Sequence, residues 1–132
     1  MNDPTYGLTK HLPSTGFDDA VGRVTEALKS EGFGVLTSID VKETLKKKLG
    51  VDFKRYAILG ACNPPLAHKS LQAEPFIGLL LPCNVVVMER DEGGSTVSIA
   101  HPQEMFKVVE NPGLVPMVSE VEAKLRRVLE RV

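Results

Sequence analysis

Apolar positions recur along this chain with two periods, and the switches between them mark the elements. Tyr6 to Leu12 alternates loosely, and Pro4 and Pro13 fence it, which predicts a short strand at or near a sheet edge. The period then lengthens. Phe17, Ala20, Val21, Val24, Ala27 and Leu28 fall within an arc of about 120° at helical spacing, opposite Asp19, Arg23, Glu26 and Ser30. Thr15 with Asp18 has the spacing of a capping box, and Gly32 stands where a glycine stop belongs. From Phe33 to Val41 the period returns to two, with Phe33, Val35, Ile39 and Val41 on one side of a second strand.

That strand runs into a short helix, Asp40 to Leu49, with Asp40 and Glu43 as a cap pair and Gly50 as its stop. Lys46, Lys47 and Lys48 occupy its last turn, where cations offset the negative end of the helix dipole. Tyr56 to Cys62 is apolar on both faces apart from Gly60, as expected of a covered central strand. The segment NPPLAHKSLQ predicts a helix with Asn63 as N-cap, Pro64 in the first turn and Pro75 as its end. Its inner face is Leu66, Ala67, Ser70 and Leu71, with His68 on the flank. Leu79 to Arg90 reads as one long strand with a bulge or an edge at Pro82. The Asp91–Gly94 turn leads into a strand from Ser95 to His101, so these two strands form a hairpin. Pro102 starts a short helical turn closed by Asn111-Pro112-Gly113, and from Val115 a last helix carries Met117, Val118, Val121, Leu125, Val128, Leu129 and Val132 on one stripe. The sum is an α+β fold, a two-layer sandwich in which a largely antiparallel sheet of about five strands has helices packed on one face.

Composition narrows the setting. A length of 132 residues suits one domain, 1–132, large enough to build a core without a disulfide or a metal. Sixteen basic and seventeen acidic side chains leave a net charge of -1, which argues against nucleic acid as a partner. The longest apolar run, Phe76 to Met88, is too short to cross a membrane and is broken by Gly78, Pro82 and Asn84. The first residues have no signal-peptide pattern, so two cysteines imply reduced thiols and a cytoplasmic location.

Candidate chemistry concentrates between Tyr56 and Met88, which holds both cysteines and four of the nine prolines. Cys62 precedes a helix start, where free amides and the dipole favour a thiolate. The commoner role of such a cysteine is a small buried hydrophobe. Cys83 lies twenty-one positions on, outside C-x-x-C spacing, although neighbouring strands can bring the sulfurs together. Cys62, His68, Cys83 and His101 supply four nominal metal ligands at spacings that match no short motif, so no metal and no cofactor are expected. No nucleophile elbow, phosphate loop or metalloprotease helix is present, and no catalytic residue is assigned.

The segments ILGACNPPLAH and LLLPCNVVV, with EGFGVLTSIDVKETLKKKLGVDF before them, resemble the bacterial and archaeal family known as domain of unknown function 302. The marker positions map onto Cys62, Asn63, Pro64, Pro82 and Cys83. The resemblance implies a two-layer α+β domain that forms a homodimer and has no established activity. The expectation is therefore a small soluble binding or interaction module without catalysis, taking a small-molecule ligand in a pocket at Cys62, Asn63, Pro64 and Cys83. The alternative is a thiol-dependent redox or sensor protein that uses Cys62 and Cys83.

Overall fold

A computed structural model describes residues 3–132. In chain order the elements are β1 (Gly7–Leu12), α1 (Phe17–Ser30), β2 (Gly34–Asp40), α2 (Val41–Leu49), β3 (Tyr56–Cys62) and α3 (Pro64–Ala73), followed by a 3-10 segment at Pro75–Leu80. Then come β4 (Cys83–Glu89), β5 (Ser95–Ala100), the single-turn α4 (Pro102–Met105), and α5 (Val115–Glu130) after two short 3-10 turns. The strands form one antiparallel sheet in the order β1-β5-β4-β3-β2.

Strand alternation divides the sheet into two faces. Ala57, Leu59 and Ala61 of β3 lie opposite Val87, Val85 and Cys83 of β4, and Val85 and Val87 lie opposite Ile99 and Val97 of β5. These residues form the inner face with Leu8 and Leu12 of β1, and apart from Cys83 all are buried. Helices α1 and α5 cover it, contributing Ala20, Val24 and Leu28 from one and Leu125 and Val128 from the other. The predicted stripes of both helices are the ones buried. Lys10 lies among the inner-face positions of β1, opposite Val97, and its ammonium donates to the main-chain oxygens of Leu129 (3.2 Å) and Val132 (2.9 Å) at the end of α5.

Several expectations change. Thr15 is not the N-cap of α1. Gly16 holds that position without a side-chain bond, and Thr15 is buried with its hydroxyl accepting from Arg23. Phe17 instead serves as a platform: the Arg55 guanidinium stacks 4.4 Å from its ring centre and bonds both oxygens of Asp18. The strand from Phe33 to Val41 is an edge strand, so most of it is exposed, including Leu36 and Ile39. Leu36 falls in the register shift between Val35 and Thr37, which explains why the strict alternation read from the sequence breaks there. The long strand expected from Leu79 to Arg90 is two elements. Pro75–Leu80 winds as a 3-10 segment, and β4 begins only after the cis Leu81–Pro82 bond. β4 is also the middle strand of the sheet, so Pro82, which has no amide hydrogen to donate, stands just outside it rather than within it.

The turn after α1 is set by Gly32 at φ 83°. Phe33 N–H donates to Leu28 O and Gly32 N–H to Lys29 O, the paired bonds of a Schellman stop, and Phe33 and Leu28 are both buried beside it. A Cβ on Gly32 would be strained by the left-handed backbone and would stand 3.0 Å from Asn63 Nδ2. Gly32→Ala is expected to cost about 1–2 kcal/mol, read as a lowered urea midpoint with an unchanged m-value.

Candidate functional site

The β3–β4 register places the two ends of one excursion side by side. Ala61 lies opposite Cys83, so the chain leaves the sheet at Cys62 and returns next to the point where it left. Everything between, α3 and the 3-10 segment, must arch beyond the end of the sheet. Asn63 fixes the departure: its Oδ1 accepts from Leu66 N–H at 3.4 Å and its Nδ2 donates to Glu31 O at 3.3 Å, tying α3 to the end of α1.

Beneath this arch lies an apolar cavity of about 320 Å³. Leu66, Ala67, Ser70 and Leu71, the inner face predicted for α3, form one wall. Met117, Val118 and Val121 of α5 form another, and Phe106 and Leu114 close a third side. Cys62, Asn63, Pro82 and Cys83 line the end nearest the sheet. Pro64, expected at the pocket, is exposed in the first turn of α3 and does not line it. None of the nineteen lining residues is Asp, Glu, Lys, Arg or His, so the cavity presents no side-chain charge to an occupant. Its polar side chains are engaged within the protein, Asn63 as above and Ser70 through its hydroxyl bond to Leu66 O at 2.9 Å and its contact with Met117 Sδ.

Both cysteines are free and partly buried. Strand alternation puts Cys83 on the inner face beside Ala61 and Cys62, the last residue of β3, on the opposite face. They meet at the cavity because it lies past the end of the sheet. Burial, with a smaller contribution from the charge of Cys62, pushes the Cys83 thiol up from 9.0 to about 11. Cys83 is therefore a neutral thiol at physiological pH. His68 is exposed on α3, as its helical position predicted. His101 lies elsewhere, against α5: its Nδ1 is 2.9 Å from Glu122 Oε1 without hydrogen-bond alignment. Among the described residues no three or more His, Cys, Asp or Glu side chains converge as a metal site. The nominal set Cys62, His68, Cys83 and His101 is not assembled.

The sequence reading missed Ile77, Phe106, Leu114 and the three α5 residues of the cavity wall. The α5 residues were legible as a buried stripe, but the stripe does not say which part meets a helix and which a void. Ile77 and Phe106 sit in 3-10 segments, whose few residues show no usable period.

A five-stranded antiparallel sheet with helices on one face and an uncharged cavity at its end defines the class, an α+β sandwich. The family model described as domain of unknown function DUF302 matches residues 8–132, and the chain belongs to that family. It is similar to a solved structure, the uncharacterized conserved protein DUF302 from Bacillus stearothermophilus, at 32% identity and a TM-score of 0.88, covering 97% of this chain and 98% of that one. No curated protein matches. No described helix is long and apolar enough to cross a membrane.

The raised Cys83 value has two consequences. Its alkylation by iodoacetamide should be slow at pH 7 and rise about tenfold per pH unit towards pH 11. The unfolded thiol ionises first, so the unfolded state binds fewer protons between pH 9 and 11 and stability falls across that window, by about 2–3 kcal/mol from this group. Cys83→Ala should flatten that part of the stability–pH curve, and an unchanged slope would show that the thiol is not held neutral.

Proposed function

We propose that this domain is a binding module for a small, uncharged, apolar molecule held in the cavity between α3, α5 and the end of the sheet. The single observation that carries the reading is the cavity's lining, apolar apart from Asn63 and Ser70, whose polar groups bond within the protein, and without a charged side chain. The cavity opens to solvent beside the exposed Leu36 and Leu71, and its volume of about 320 Å³ falls within the range of small-ligand sites. No catalytic group is assigned: the polar side chains at the wall serve to hold α3, and the Cys83 thiol is neutral. Binding of this kind draws on burial of apolar surface, so its signature is a negative heat-capacity change.

Filling the cavity tests it. Ala67→Trp projects a large ring from α3 into the void and is expected to lower affinity for an uncharged dye such as Nile red by tenfold or more. Circular dichroism should be unchanged. Equal dye binding by the variant and the parent would remove the cavity from the argument.

The thiol-dependent alternative draws on one observation, that Cys62 and Cys83 line the same cavity from neighbouring strands. Their placement on opposite faces and the neutral state of Cys83 weigh towards a packing role for both.

The partner assigned to the domain is a second copy of itself. The outer face of the sheet carries Ile39, Ile58, Val86 and Met88, all at least partly exposed, and α2, beside the β2 edge, buries no residue. Two copies related by a twofold axis would cover this face symmetrically. Val86→Glu is expected to shift the sedimentation mass from dimer to monomer. A parent protein that remains monomeric at high concentration would refute the assignment.

A further inference from the structure

Two further cavities flank the main one. The first, about 140 Å³, lies between the Leu79–Asn84 stretch and Ala100, Pro102 and Met105. The second, about 380 Å³, lies between the segment after α4 and the first turns of α5, bounded by Gln103, Val109 and Val115 among others. Phe106 is the one residue that lines all three.

The segment that carries Phe106 is held at its ends. At one end Gln103 N–H donates to Glu122 Oε1 at 3.2 Å, and the same buried carboxylate contacts His101 and Arg126. At the other end Asn111 Nδ2 donates to Ala73 O at 3.0 Å and to Glu74 at 3.1 Å, fastening the segment to the end of α3. Between these anchors α4 ends and the backbone makes one 3-10 turn, Phe106–Val108, and Met105 and Val108 face solvent. Phe106 is only partly buried there. An aromatic ring on a short strap fixed at both ends can change rotamer without disturbing the sheet or the long helices.

We propose that Phe106 is a partition between the main cavity and its neighbours, and that it sets the upper length of a linear aliphatic ligand. With the ring in place a chain that enters beside α3 ends at the aromatic face. With the ring turned aside, or absent, the same chain continues into the adjoining space. The ligand class follows from the walls: a straight, uncharged hydrocarbon chain, because the main cavity carries no charge and is bounded by Leu, Ile, Val, Met and Phe side chains. This rests on the cavity reading and adds a specificity determinant to it.

The test is a chain-length series. Linear primary alkanols from hexanol to dodecanol are titrated calorimetrically into the parent, Phe106→Ala, Phe106→Trp and the exposed control Phe76→Ala. Each methylene buried should tighten binding about fourfold. The parent and the control should stop gaining at the same length, Phe106→Ala should go on gaining and bind dodecanol about tenfold tighter or better, and Phe106→Trp should stop gaining sooner. If Phe106→Ala does not fold by thermal melt, Phe106→Leu is judged on the same series. An unchanged stopping length while alkanols still bind overturns the partition and leaves the cavity reading standing. Binding of no alkanol by the parent or by any variant overturns both.

Discussion

The register of one strand pair governs what this molecule can do. Because Ala61 lies opposite Cys83, the chain must leave β3 and re-enter β4 at almost the same place, and the residues between must close a loop over the end of the sheet. Such a loop cannot lie flat on the inner face, where α1 and α5 already bury Val85, Val87, Val97 and Ile99. It stands beyond the sheet as α3 and a 3-10 segment, and Asn63 pins its first turn to the last residues of α1. The cavity is the space that this arch encloses and does not fill.

That space persists for a reason visible in its walls. Leu66 and Ile77 are buried, and Leu71 is half exposed at the same cavity, so the arch satisfies part of its apolar surface without collapsing on α5. Ser70 and Met117, in contact across the gap, hold α3 and α5 at a set distance. The 3-10 segment divides its side chains in the same way: Ile77 is 2% exposed, while Phe76 and Leu79, on either side, are 78% and 83% exposed. An arch tied at both ends and propped in the middle resists the relaxation that normally shrinks a void.

How much of this the sequence disclosed depends on length and period. The stripes of α1 and α5 run for fourteen and sixteen residues, long enough for period 3.6 to be unmistakable, and the structure buries them. The α3 stripe of Leu66, Ala67, Ser70 and Leu71 was equally legible as an inward face, yet periodicity reports which side is apolar and not whether a neighbour fills the space before it. The stretch from Leu79 to Arg90 was misjudged for a related reason. A run of Leu, Val and Met broken only by Pro82, Cys83 and Asn84 has the same appearance as a bulged strand and as a 3-10 turn followed by a strand. Thr15 failed as a cap because the local signal competes with burial, and its hydroxyl went to Arg23 instead.

The two cysteines show where sequence signals stop. Their positions before Asn63 and after Pro82 are consistent with a redox pair, and adjacency of their strands adds to that appearance. Alternation along β3 is the decisive fact, because a single residue of offset sends neighbouring side chains to opposite faces of a sheet. Cys83 turns inward, where desolvation keeps its proton in place, and Cys62 occupies the strand's last position, at the edge of the void. What the pair contributes to the site is then mainly surface: two small, polarisable side chains at the end of an apolar cavity, compatible with hydrocarbon. The residue with the most leverage over that cavity is far from both in sequence. Phe106 reaches it from a strap with no regular period, anchored by Glu122 on one side and Asn111 on the other. Its role follows from position among three voids, and no local pattern encodes that.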